Sequence, residues 1–179
     1  MNKSEIRKKI SKIRKYKSFN NFKINFKSIL KILKKKRIKG KTVGVYYPYN
    51  YEIDDVQILD KLEKCDYHIA LPKIKKNFQM DFFKWSTKDP LMINKYGIPE
   101  PISHKIMYPD ILLVPLVAYD KSFNRIGYGG GFYDRYIKKI QKIQKITTIG
   151  LAYSFQKIKK VPINKYDIKL NFIITEKQN

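Results

Sequence analysis

Half of the eight glycines in this 179-residue chain stand within five positions, at Gly127, Gly129, Gly130 and Gly131. Arg125 precedes them and Asp134 follows, in the run Arg-Ile-Gly-Tyr-Gly-Gly-Gly-Phe-Tyr-Asp at 125–134. Glycine holds positive backbone φ, which costs an ordinary residue about 1–2 kcal/mol, and it lets the main chain approach an anion closely. A helix starting directly after such a turn offers unpaired N–H groups to the same anion. An arginine beside the cradle neutralises a phosphate, and a carboxylate one turn later can hold magnesium directly or through water. The chemistry that suits this pattern is phosphate binding; the plainer alternative is a tight strand-to-helix connection. No Gly-Lys-Ser/Thr follows, so the turn is not a P-loop, and its spacing differs from the dinucleotide fingerprint.

The turn needs a strand before it and a helix after it. Residues 111–118 are a short apolar run bounded by turn residues, a buried strand with 119–124 as its exit loop. Beyond the glycines, Tyr133, Tyr136, Ile137, Ile140 and Ile143 recur at spacings of three and four, with Lys138, Lys139, Lys142 and Lys145 opposite them, which predicts an amphipathic helix. Two N-terminal helices are expected over 2–16 (Ile6, Ile10, Ile13) and about 20–37 (Phe22, Phe26, Ile29, Leu30, Leu33), the second closed by Gly40. Residues 41–47 read as the first strand, ended by Pro48. A helix follows over 53–63 on Val56, Leu59 and Leu62, with Asp54 and Asp55 in its first turn, where the helix dipole favours carboxylates.

Residues 67–71 form a strand that Pro72 stops, and 80–85 another. Pro90, Gly97, Pro99 and Pro101 impose an irregular path, expected to be a functional loop, before strands at 146–153 and 170–175. Strands alternating with helices give an α/β fold with a largely parallel sheet covered on both faces. Ligands of such sheets gather outside the carboxyl ends of the strands. The segment 48–53, the glycine turn and the segment from Ser154 all fall there. Taken alone, Glu52 could cap its neighbouring helix and Asp167 could be an ordinary turn residue.

Composition narrows the class. A chain of this length is expected to be one domain that buries roughly 70% of its unfolded surface. Apolar residues at 43% and aromatics at 14% argue against disorder despite 30% charged residues. No apolar run approaches the ~20 residues of a membrane span, and the N-terminus leads into no apolar signal core. Cys65 is the single cysteine, which excludes an internal disulfide and a multi-cysteine zinc site and points to a reducing cytoplasm. His68 and His104 have no metal-pair spacing. The net charge of +24 alone would predict a polyanion partner. The lysines are scattered along the whole chain, however, and no zinc finger, helix-turn-helix or aromatic RNA-binding pattern accompanies them. Abundant Ile, Lys, Asn, Tyr and Phe are the residues of A+T-rich codons, so compositional bias accounts for much of the charge and no specific nucleic-acid partner is expected.

Val-Pro-Leu-Val-Ala-Tyr-Asp at 114–120, followed by the run at 124–135, closely resembles the signature of the 5-formyltetrahydrofolate cyclo-ligases, or 5,10-methenyltetrahydrofolate synthetases. Lys3 with Arg7, residues 47–52, Ala-Leu-Pro at 70–72, Tyr-Gly-Ile-Pro-Glu-Pro at 96–101, and Val161-Pro162 ahead of Tyr166-Asp167 add to the likeness in the family's order. The resemblance implies a single-domain three-layer α/β/α sandwich over residues 1–179. The implied reaction is ATP- and magnesium-dependent cyclisation of 5-formyltetrahydrofolate to 5,10-methenyltetrahydrofolate, with release of ADP and phosphate. Phosphorylation of the formyl oxygen would make a poor electrophile reactive, nitrogen 10 would attack the formyl carbon, and phosphate would leave. Such a reaction depends on placing charge and atoms rather than on a side-chain nucleophile, and no Ser-His-Asp or Cys-His set is evident.

Carried over residue by residue, the resemblance assigns Lys3, Ser4, Glu5, Ile6 and Arg7 to ATP, together with Arg125, Ile126, Gly127, Tyr128, Gly129, Gly130, Gly131, Phe132 and Tyr133. It assigns Tyr47 and Glu52 to the folate, with Gly129, Gly130 and Gly131 approaching it too, and Asp134 and Asp167 to magnesium. A tyrosine can stack on a flat pterin, and a carboxylate can accept from its amino and ring N–H groups. Position 128 is often basic in the family and is Tyr128 here, so no phosphate contact is expected from that side chain; Phe132 replaces a more usual tyrosine. The expected molecule is a cytoplasmic monomer or weak homo-oligomer without a membrane partner. The rivals are another α/β enzyme acting on a phosphorylated small molecule and a basic nucleic-acid-binding protein.

Overall fold

In a computed structural model, residues 1–17, 23–35, 37–38, 40–53 and 56–177 are described. Helix α1 (Lys3–Lys17) is started by a reciprocal cap: Asn2 Oδ1 accepts from the Glu5 N–H at 3.0 Å while Glu5 Oε2 accepts from the Asn2 N–H at 3.0 Å. Helix α2 (Phe26–Lys35) begins where the Asn25 side chain accepts from the Lys27 N–H at 3.0 Å. Phe22 and Lys36, at the ends of the longer helix expected from sequence, lie outside the described residues, as do Asp54 and Asp55. Strand β1 (Thr42–Gly44) is followed by α3 (Val56–Lys64), β2 (His68–Ile74), β3 (Met80–Trp85), β4 (Leu91–Ile93), β5 (Pro99–Pro101) and β6 (Ile106–Met107). Strand β7 (Ile111–Pro115), β8 (Ala118–Tyr119), β9 (Arg125–Ile126), α4 (Phe132–Ile140), β10 (Thr147–Leu151) and β11 (Phe172–Ile174) complete the chain.

Seven strands form one sheet in the order β11-β10-β7-β1-β2-β3-β6. Pairing is parallel from β11 through β2 and antiparallel where β3 joins β2 and β6 joins β3. The middle of the five-strand parallel part is β7, whose Ile111, Leu112, Leu113 and Val114 are all fully buried, as expected of a parallel strand covered on both faces. Alternation sorts them into layers. Ile111 and Leu113 pack with Ile29 and Leu33 of α2 and Leu59 and Leu62 of α3, whereas Leu112 and Val114 pack with Tyr136, Ile137 and Ile140 of α4. The fold is thus α/β, with helices on both faces of a mostly parallel sheet. Helix α1 docks separately, through Ile6 and Ile10 onto Val117, Ala118, Ile126 and Val161.

Three expectations change. Strand β2 runs through Pro72 instead of stopping there. The β1 partnership of β2 ends at Ala70, and even-numbered residues of β2 aim their N–H groups to that side, so the missing Pro72 N–H breaks no ladder bond. Residues 90–101 make a β4–β5 hairpin closed by Asn94, whose Oδ1 accepts from the N–H groups of Tyr96 and Ile98. Glu100 faces β4 between Pro99 and Pro101, whose missing N–H groups point away. Helix α4 stops at Ile140, and Ile143 is exposed rather than part of the apolar stripe. Among the described residues no helix is long and apolar enough to cross a membrane.

Candidate active site

A cavity of about 1170 Å³ opens where the sheet's carboxyl edge meets α1 and α4. Tyr46 and Tyr47 beyond β1, Pro72 and Ile74 of β2, and Pro115 of β7 reach its wall. Lys3, Arg7, Tyr47, Glu52, Asp167 and all of 125–134 line it, so the residues singled out by sequence converge on one space. Ser4, Glu5 and Ile6 do not line it. Glu5 is committed to the α1 cap and Ile6 to the packing of α1, while Ile126 touches the cavity but is itself buried in that same apolar cluster.

At one end, Gly129 and Gly131 take φ of +107° and +65°, the left-handed region that side chains rarely adopt. Gly130 is required for another reason: a Cβ there would stand 2.5 Å from the Phe132 ring. Gly131 caps α4 without a side-chain bond, Asp134 sits in the first turn, and residues 131–134 at this helix start line the cavity. Helix α1 brings Arg7, whose Nε donates to the Gly127 carbonyl at 2.7 Å, and Lys3, which ion-pairs with Asp167. The buried Arg125 donates from Nη2 to Asp134 Oδ1 at 2.9 Å and from Nη1 to the Ile168 carbonyl, while the Ile168 N–H donates to the same Asp134 oxygen at 2.9 Å. These bonds tie the loop carrying Asp167 to the start of α4. Burial pulls Arg125 below its ordinary pKa, and Asp134 and then Asp167 oppose that shift.

Two carboxylates converge here, and among the described residues no group of three or more His, Cys, Asp or Glu side chains does. That donor set is too sparse for an all-protein metal cage. It fits magnesium that arrives with phosphate oxygens and waters, which commonly uses only one or two carboxylates.

At the other end, residues 49–52 make a tight turn, with Asn50 and Tyr51 at φ of +50° and +60°. Glu52, 8% exposed, accepts the Tyr49 N–H at 2.9 Å and lines the cavity together with Tyr128. Burial pushes its carboxyl up to about 7, against the lowering effects of the Tyr49 N–H, the Tyr128 hydroxyl and the Arg14 charge. Although Tyr128 is partly exposed, desolvation of its hydroxyl, and next the Glu52 charge, push the phenol above its ordinary range. Arg14, 1% exposed, donates from Nη2 to the Tyr128 hydroxyl, with its guanidinium carbon 5.4 Å from that ring's centroid. Position 128 therefore serves the Glu52 end.

Sequence reasoning missed Arg14 and the rim. Arg14 follows Ile6 and Ile10 at spacings of four, and a charge on an apolar stripe was the available signal. Phe78, Tyr96 and Tyr166 are exposed aromatics around the opening. Arg135 straps Phe78 to the glycine turn, its Nε and Nη2 donating to the Phe78 carbonyl at 3.0 and 2.9 Å and Nη2 also to the Gly130 carbonyl.

Fold and site together give an α/β protein with a large cleft, with Lys3, Arg7 and the start of α4 at one end and the buried Glu52 at the other. A family model described as the 5-formyltetrahydrofolate cyclo-ligase family matches residues 1–176, and the chain belongs to that family of enzymes. A 5-formyltetrahydrofolate cyclo-ligase of Mycoplasma pneumoniae is 31% identical over 182 residues, spanning 98% of this chain and 99% of that one. One from Haemophilus influenzae is 31% identical over 140 residues, 74% of each chain. The solved structure of a 5,10-methenyltetrahydrofolate synthetase from Aquifex aeolicus superposes with a TM-score of 0.76 at 28% identity, covering 99% of this chain and 91% of that one.

Proposed function

We propose that the chain, acting as one domain, converts 5-formyltetrahydrofolate to 5,10-methenyltetrahydrofolate with consumption of ATP and release of ADP and phosphate. The observation that carries this reading is the meeting, in one cavity, of an uncapped helix N-terminus, Lys3 and Arg7 at one end and the buried Glu52 at the other. Family membership over 1–176 supports it.

In this reading Lys3, Arg7, Arg125 and the N–H groups of 129–133 hold the ATP phosphates. Magnesium, bound through Asp134 and Asp167, would neutralise charge on the transferring phosphoryl group. Lys3 exchanges its Asp167 partner for a phosphate oxygen, which frees that carboxylate for the metal. Tyr47 packs on the pterin, and Glu52 accepts its N–H groups, setting the formyl oxygen toward the glycine turn. The close backbone at 129–131 lets the terminal phosphoryl group reach that oxygen. Nitrogen 10 then bonds to the formyl carbon and loses its proton, the carbon–oxygen bond breaks, and phosphate carries the oxygen away. The protein's part is orientation and charge placement.

Mixing the protein with 5-formyltetrahydrofolate, ATP and magnesium tests this: near-ultraviolet absorbance of the methenyl product should rise only when all are present. No ATP-dependent rise would refute the reading. The charge of +24 belongs to composition in this account, so nonspecific RNA should bind only weakly and lose affinity steeply with salt.

A further inference from the structure

We propose that Arg14 and Tyr128 are positioning residues for the substrate, forming a relay from α1 through the glycine loop that aims the Glu52 carboxylate at the pterin and offsets part of the cost of burying its charge. The inference rests on the reading that Glu52 meets the folate.

The relay crosses three separate elements. Arg14 comes from α1, Tyr128 from the glycine loop and Glu52 from the turn after β1. Arg14 is buried, and its Nη1 reaches only the Leu116 carbonyl, at 3.4 Å, while its Nε has no hydrogen-bond partner. A buried guanidinium bonded this sparingly is a costly feature for packing alone. Its best contact is the Tyr128 hydroxyl, which accepts from Arg14 and so keeps its own proton available to an acceptor on the cavity side, where Glu52 also stands. Tyr128 thereby spans the two ends of the cavity: its backbone belongs to the phosphate turn and its hydroxyl to the pterin carboxylate.

The carboxylate must be ionised to accept two N–H donors, because protonation turns one oxygen into a donor. The groups acting on it are Arg14 from α1, Tyr128 from the glycine loop and the Tyr49 N–H from its own turn. All three favour the ionised form, whereas burial opposes it. Loss of the Tyr128 hydroxyl or of the Arg14 charge therefore moves Glu52 ionisation to higher pH.

The test is calorimetric binding of 5-formyltetrahydrofolate across pH 5.5–9, together with KM for each substrate, in wild type, Tyr128→Phe, Arg14→Met and Glu52→Gln. Tyr128→Phe keeps the ring beside Arg14. It should weaken folate binding at neutral pH about tenfold, move the acidic limb upward and leave KM for ATP within about twofold. Arg14→Met should do the same to a smaller extent, and Glu52→Gln should abolish the limb. Circular dichroism identifies any variant that fails to fold, and the other variant then decides. Folded variants with an unmoved limb, or with folate and ATP affected equally, overturn the relay while wild-type turnover leaves the proposed function standing. A wild-type protein that neither binds nor turns over 5-formyltetrahydrofolate overturns both.

Discussion

The two ends of the cavity hold their charges in opposite ways. At the glycine turn the carboxylates already have cations, Lys3 on Asp167 and Arg125 on Asp134, and Lys3 and Asp167 are partly solvated, so their pairing can be exchanged. At Glu52 the carboxylate is buried, and among the described residues it forms no ion pair; the Arg14 charge acts on it from a distance, with Arg14 itself bonded to Tyr128. The first arrangement suits a ligand that brings its own charge and metal, because partners can be swapped at little cost. The second suits a neutral, flat ligand recognised by hydrogen bonds, where a fixed acceptor discriminates better than a mobile one. What separates the ends is therefore burial rather than the number of charges.

The sharpest way to break that contrast is Gly130→Val, which drives a side chain into Phe132 and closes the anion end. ATP-dependent turnover should fall about a hundredfold or more. Calorimetry should show ATP binding lost and 5-formyltetrahydrofolate binding retained. Equal loss of both would mean that the ends are not separable.

Next in size is Asp134→Asn, which removes a metal-assigned carboxylate and the charge partner of Arg125. The magnesium concentration for half-maximal activity should rise about tenfold. An unchanged magnesium titration would remove Asp134 from the metal site.

Glu52 supplies a test through stability. Its ordinary value of 4.5 is raised to about 7 in the fold, so the folded state holds the proton more tightly than the unfolded state. Stability should decline as pH rises from about 4.5 to about 7 and stay lower above that. Glu52→Gln should remove the decline, gaining on the order of 3 kcal/mol relative to wild type between those limits. Denaturant unfolding at pH 5 and pH 8 measures it, and parallel curves for the two proteins would contradict the burial argument.

The smallest effect belongs to Lys75→Ala. Lys75 and Lys139 both bond Asp81 at 2.6 Å, and together they hold its carboxyl below the ordinary range although burial alone would raise it. With Lys139 left in place, the change should cost less than about 1 kcal/mol and leave kcat and KM alike. A large loss of activity would extend the active region beyond the cavity wall.

Much of the anion end was legible in the sequence because its signals are local. Glycines, flanking charges and an amphipathic helix lie within twenty residues, and backbone geometry needs those residue types there. The alternation of buried strands and helices was equally readable, since periodicity reports burial directly. The Glu52 end was readable only in part: Tyr47 and Glu52 came from resemblance, while Arg14 and Tyr128 meet across 114 positions, a contact that no local pattern encodes. Pro72 misled for a related reason, because its tolerance depends on where β1 ends beside it. The β4–β5 hairpin was hidden by its prolines, which are harmless on the side facing away from the partner.

The most direct test of the central claim follows methenyl absorbance and inorganic phosphate together in one reaction with limiting 5-formyltetrahydrofolate. Both should rise in step, one phosphate for each methenyl product, and stop when the folate is spent. Phosphate released without absorbance, or absorbance without phosphate, would contradict a single cavity coupling the two ends.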